Sequence, residues 1–440
     1  MLLRRWRVAP TERRVPISVG WTSYVEPGMR PAFCLDRNVH PIRDTPSDAL
    51  TDPLPTTSQV PPALRRAAFR NLTSPCCFVG IILLTSLALA GSASGASATW
   101  KSNKNDEWLV GNDWVGGAFV GSVNPANSSN TEVATFNSAG FQGGTGLRIG
   151  IGFTNNNTLS LGTLSVVDLP RVIGSSNTDG TLRLNGTAIG GDNVIINVTG
   201  GGLALQPNVS PGTGTMTLAL GGATDNVISV VTGSTVAINT PVVVAAGTGQ
   251  LTLSGAGNLN VGGTSTNAFA PNSISLRGGT LTLTSSNNIA NGTGINLNGG
   301  TLNAAGFADQ VGALTLSAAS TINLTTGSNS LTFSGAAWTG GILTIHGWTG
   351  TAAVGGTTDH LYFTSNVVSS SFLNNVVFQG FYGNTPGSAE IVLQGNGLYE
   401  LVPVPEPATI LGGLALAGLV GYRERRRFSF ALGRLLGNHA

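Results

Sequence analysis

The middle of the chain alternates apolar and polar positions in short bursts. Thr181–Leu184, Leu203–Leu205, Met216–Leu220, Leu251–Leu253 and Leu281–Leu283 belong to the set, with Ile295–Leu297, Leu314–Leu316, Ile322–Leu324, Leu331–Phe333 and Leu343–Ile345 further on. Each puts apolar side chains at i and i+2 with Thr, Asn, Arg or another small residue between. On an extended strand those two sets point to opposite faces, so every burst predicts a strand with one buried and one wet side. Gly-Gly and Asn-Gly pairs separate many of them and supply the positive φ that tight corners require. The clearest internal copy is Leu276–Leu281 (LRGGTL) against Leu297–Leu302 (LNGGTL), a shift of 21 residues. A period near twenty is one coil of a β-solenoid, whose coils bury their apolar faces only by stacking on each other. The predicted fold class is therefore all-β, an elongated parallel β-helix (β-solenoid) over residues 99–400. Thr and Asn at equivalent positions should form ladders between coils. A β-sandwich, with strands every 8–12 residues, is the rival architecture; the Gly-Gly-Thr-Leu copy and the lack of an aromatic-rich core favour the solenoid.

The two ends of this region differ from its middle. Trp100, Trp108 and Trp114 open it, either as a platform on which sugars stack or as a bulky cap over the open end of the solenoid. Aromatics return from Trp338 to Tyr382 and predict a C-terminal cap or final sheet, closed by Gly380–Gly383 and Ile391–Leu393. Leu401–Val404 then reads as a flexible stalk.

Two continuous apolar runs break the alternation. Cys76–Ala90 follows Arg65, Arg66 and Arg70 and ends in small residues, the pattern of a secretory signal peptide over 65–98. Ala-x-Ala sequences place the candidate cleavage points after Ala90 and after Ala98, and export implies passage through the Sec translocon. Residues 1–64, with ten prolines and two glycines, are a disordered leader or the product of a start assigned too early. The second run, Ala408–Tyr422, reaches about 22 Å as a helix against the ~30 Å of a bilayer core. Snorkelling arginines make up part of the difference. A single C-terminal transmembrane helix is predicted over 408–422, with Arg423, Arg425, Arg426 and Arg427 as its cytoplasmic stop. Just before it, Pro405 and Pro407 hold Glu406 in extended backbone clear of the helix. An ordinary tail anchor with a proline-rich stalk is the plain alternative.

Charge and chemistry narrow the picture. The whole chain carries a net charge of +2, but residues 99–404 hold six Lys/Arg against twelve Asp/Glu, so the passenger is about −6. No basic patch for nucleic acid survives. Cys34, Cys76 and Cys77 all precede the passenger, which leaves it no disulfide. Its histidines are His346 and His360. Asp359 and His360 are adjacent, so on a strand they face opposite ways, and a satisfied surface histidine is the reading. There is no Gly-x-Ser-x-Gly elbow and no zinc-ligand spacing. Arg148, Arg171, Arg183 and Arg277 are dispersed along the sequence with no acidic cluster beside them, and Gly190-Gly191-Asp192 matches a calcium-binding nonapeptide only as a single fragment. No catalytic residue, metal site or cofactor is nominated.

The segment VPEPATILGGLALAGLVGYRERRR resembles the PEP-CTERM sorting signal of Gram-negative bacteria. Residues 270–335, and more loosely 180–260, are similar to autotransporter-associated β-strand repeats. The first resemblance implies recognition of Pro405-Glu406-Pro407 by an exosortase, a membrane transpeptidase. The protein would be held briefly in the inner membrane, cut near the motif and released to the cell surface or extracellular matrix, as in a biofilm. The signal then covers 401–427, and Phe428–Ala440 continues past the usual end as an interfacial segment or an extension. The function expected is a non-enzymatic structural or adhesive role in a polysaccharide matrix; the alternative is a carbohydrate-binding or polysaccharide-degrading β-helix.

Overall fold

Each of the alternating bursts forms or enters a strand, and the strands stack in parallel. The computed structural model describes residues 97–436 apart from 103–105, 124–130, 139–146, 155, 210–213, 222–224, 245–248, 382–383 and 406. The predicted leader 1–64, nearly all of the signal peptide and Ala90 therefore lie outside the described residues. Contacts divide the chain into Met1–Cys77 and Phe78–Ala440, and all the described residues belong to the second unit.

The chain visits three faces in turn. One sheet runs from Ala98–Thr99 to Ala336–Trp338 and a second from Asp106–Glu107 to Val376–Phe378. The third face begins with Thr158–Leu161, Gly180–Leu184, Met216–Leu220 and Val242–Val244. It continues through parallel bridges at Phe269 and Ile289 to Ala308–Gln310, Asn329–Phe333 and Asp359–Phe363. A coil such as Gly294–Asn298, Thr301–Asn303, Ala308–Gln310 thus contributes one strand to each face. Leu276 pairs with Leu297 and Leu281 with Leu302, the 21-residue step read from the sequence. A sandwich would need antiparallel neighbours, whereas the second sheet is parallel at every step.

The core follows from the alternation. Leu259, Leu281, Leu302 and Ile322 form one buried column, and Leu253, Leu276, Leu297 and Leu316 another. Each buried Leu stabilises the stack by roughly 1.5–3 kcal/mol relative to exposure. Corners between faces are set by glycine. Gly279 has φ +62°, and a Cβ there would stand 2.3 Å from the Gly257 carbonyl oxygen; no other residue fits without moving the coil below.

The C-terminal end corrects one expectation. Leu401–Val404 is no stalk: strand Tyr399–Pro403 is hydrogen-bonded antiparallel to Ala389–Leu393 and to Asp359–Phe363, and Leu401 and Val402 are buried. An antiparallel hairpin here covers the edge that a parallel stack would leave open. Short helix Ser370–Leu373, capped by Ser369 Oγ accepting from Phe372 N at 3.1 Å, adds Phe372 to the same closure. The last helix spans Pro407–Leu436, so residues 428–436 continue the helix that begins just after the motif. Among the described residues no helix is long and apolar enough to cross a membrane. The fold therefore does not establish the transmembrane helix predicted over 408–422; the apolar run ends after fifteen residues in Arg423, Glu424 and Arg425.

Candidate functional site

At the N-terminal end the three tryptophans converge on one cluster with Phe136. Trp114 sits centrally, edge-on to Trp100 at 5.0 Å and to Trp108 at 4.9 Å, with Phe136 6.0 Å away. All four rings are fully buried. Each indole N–H donates to a backbone carbonyl: Trp100 to Ser102 at 3.0 Å, Trp108 to Val120 at 2.8 Å, Trp114 to Trp108 at 2.8 Å. A stacking platform needs an open ring face, and none is offered. The sugar-stacking role considered for Trp100, Trp108 and Trp114 is thus replaced by that of a cap.

Ala98, the second cleavage candidate, is half-buried within strand Ala98–Thr99 and pairs with Ala134. Ser97 Oγ accepts from Val133 N at 2.9 Å. A cut after Ala98 would remove both contacts, whereas a cut after Ala90 would leave them.

The candidate processing motif is joined directly to the closing strand. Val404 N donates to Ser388 O at 2.8 Å, and Pro403 O accepts from Ala353 N at 3.0 Å. Pro405 is half-buried and Pro407 is the first residue of the last helix; Glu406 lies outside the described residues. On that helix Ile410, Leu411, Leu414, Leu416, Leu419 and Val420 are all exposed, so its apolar surface has no partner in the solenoid. Arg423 and Arg425 are exposed one turn beyond, and Arg426 and Arg427 follow on the same helix.

Arg277 departs from the sequence reading. It has two acids beside it, donating from Nη1 to Asp192 Oδ1 at 2.8 Å and from Nη2 to Asp225 Oδ2 at 2.7 Å. The hydrogen bond to Asp192 is the main reason its pKa is raised further. The guanidinium is committed as a clasp between coils, which removes it as a base. Asp192, part of the Gly-Gly-Asp fragment, is held by the same pair. Among the described residues no group of three or more His, Cys, Asp or Glu is placed to hold a metal ion.

His360 faces outward and Asp359 inward, as adjacency on a strand requires. The imidazole Nδ1 lies 2.9 Å from Glu400 Oε1 and the ring stacks on Tyr362 at 5.0 Å. Glu400, buried on the closing strand, also accepts from Gly356 N at 2.9 Å. This His–carboxylate pair has no Ser or Cys hydrogen-bonded to it among the described residues and acts as a tie between coils. Asp309 is likewise hidden. It faces inward opposite Leu331, and Oδ2 accepts from Asn288 N at 3.1 Å and Ile289 N at 3.0 Å. Burial pushes its pKa up to about 6 against those two bonds.

One broad surface is built by the repeat itself. On the second face Asn258, Thr280, Thr301, Thr321 and Thr344 form one outward rank, and Asn260, Thr282, Asn303, Asn323 and His346 the next. The ranks repeat at about 4.8 Å between coils and about 6.7 Å along each strand. Neither contains a charged carboxylate, Lys or Arg. These are the predicted ladders, and Asn303 Nδ2 lies 3.5 Å from Thr282 Oγ1 within them. Comparisons with protein-family models, with curated proteins and with solved structures find no match to this chain.

Proposed function

We propose that this is an exported, non-enzymatic surface or matrix protein, sorted and cut by an exosortase at Pro405-Glu406-Pro407. The observation that carries the reading is the order of parts at the C-terminus. A closed solenoid ends at Pro403, the motif follows at once, and then comes a helix whose apolar residues point outward on all sides. The stretch 408–422 of that helix is apolar all round and needs an apolar environment, and the solenoid supplies none among the described residues. Seated in the inner membrane with its arginines on the cytoplasmic side, it would hold the passenger outside until the cut. The uncharged Thr/Asn face supports a structural or adhesive role among neutral polysaccharide chains. Changing Glu406→Gln should leave the protein in the membrane fraction while the parent appears in the medium. Equal release of both would sink the sorting claim.

A further inference from the structure

Resting on the reading of Pro405-Glu406-Pro407 as the processing site, we propose that the fold itself controls processing, with the closing strand Tyr399–Pro403 as a gate. The motif is open to the enzyme only when this strand has peeled from Ala389–Leu393 and Asp359–Phe363.

Three observations lead there. The first is reach. Only Val404, Pro405 and Glu406 separate the end of the strand from the start of the helix. Three residues span at most about 10 Å, so an enzyme at the motif meets the closed end of the solenoid on one side and the helix on the other.

The second is backbone hydrogen bonding. Peptide segments are commonly held by adding them as a strand to the binding protein, through main-chain bonds. Upstream of the motif those groups are already used. Val404 N is given to Ser388 O, and Pro403 O receives Ala353 N. Residues 399–403 are in register with 389–393. Pro403, Pro405 and Pro407 have no N–H to give. A folded closing strand therefore leaves the enzyme almost nothing on the passenger side to hold.

The third is the anchor. Leu401 and Val402 are buried, and buried Glu400 accepts from Gly356 N and pairs with His360. Peeling must break these contacts, yet the strand lies in the terminal hairpin of the stack. The ends of repeat arrays are where local opening costs least. The gate is thus closed at rest and openable without unfolding the coils beneath.

The test is a pulse-chase of the full-length chain in the producing cell, following conversion of the membrane-held form to the released form. A six-residue Gly/Ser linker inserted between Val404 and Pro405 moves the motif off the fold without touching either. Leu401→Ala loosens the strand and leaves the motif intact. Glu390→Cys with Val402→Cys places a cysteine pair at directly opposed positions, within disulfide reach, in a passenger that has no other cysteine. The gate predicts release at least tenfold faster with the linker and with Leu401→Ala. It predicts release at least tenfold slower with the oxidised pair, restored by reductant. Equal rates in the parent, linker and cysteine chains overturn the gate while leaving the processing site standing. No release from any chain, the linker form included, overturns the processing reading and the gate with it.

Discussion

Replacing Trp114 with alanine removes the ring around which the N-terminal cap is assembled. The side chain is fully buried, it makes edge contacts at 5.0 Å and 4.9 Å with Trp100 and Trp108, and its N–H satisfies the Trp108 carbonyl. Deleting a buried aromatic of this size costs about 3–5 kcal/mol, and an orphaned buried carbonyl adds about 1–3 kcal/mol. The expected total is about 5 kcal/mol or slightly more. Trp114→Phe keeps most of the volume but loses the N–H, so it should cost about 2 kcal/mol. Because each coil touches only its neighbours, the damage should stay near the end of the stack. Hydrogen exchange on the released protein reads this directly. Protection of Val133–Phe136 and Leu147–Ile151 should fall by about three orders of magnitude, within the cost just derived, while Ser273–Leu276 keeps its protection. Unchanged protection at the first coils, together with loss of binding to a panel of neutral glycans, would refute the cap and restore the stacking platform.

Gly279→Ala forces a Cβ to 2.3 Å from a backbone oxygen at positive φ and should cost about 2–4 kcal/mol in a denaturant titration. Gly292→Ala, where a Cβ meets nothing within 4 Å, should be nearly neutral. Asp309 makes stability depend on pH. Its folded pKa of about 6 stands above its ordinary 3.8, so its contribution is fully present below pH 4 and is lost as pH rises past 6. The loss is about 2–3 kcal/mol. Denaturation midpoints of the parent should fall between pH 4 and 7, and Asp309→Asn should flatten that slope.

The fold was legible where its period is short and its turns are glycine. LRGGTL and LNGGTL sit one above the other because 21 residues make one coil there. Nearer the N-terminus the step lengthens to 32 between Leu164 and Ile196, partly because hairpin strand Thr187–Ile189 is inserted; a variable insertion erases the period without disturbing the stack. The closing strand reads as a stalk in the sequence because Glu400 and Pro403 interrupt its apolar pattern. Its buried carboxylate is satisfied by Gly356 and His360, forty or more residues away. Arg277 looks isolated for the same reason, since its acids are 52 and 85 residues distant in sequence. Alternation shows which side of a strand is wet, but it cannot tell a tryptophan that closes a core from one that offers its face. The four-ring cluster with Phe136 decides that point.

Intact mass of the released protein tests the central claim, export followed by a cut at the motif, most directly. The expected chain begins at Gly91, keeping Ser97 and Ala98 in the first coil. It should end between Val404 and Pro407, with the closing strand whole and the helix gone. A released protein whose mass includes residues 408–440 would contradict it; a start at Thr99 would instead move the signal cut to Ala98 and remove the first-coil contacts of Ser97 and Ala98.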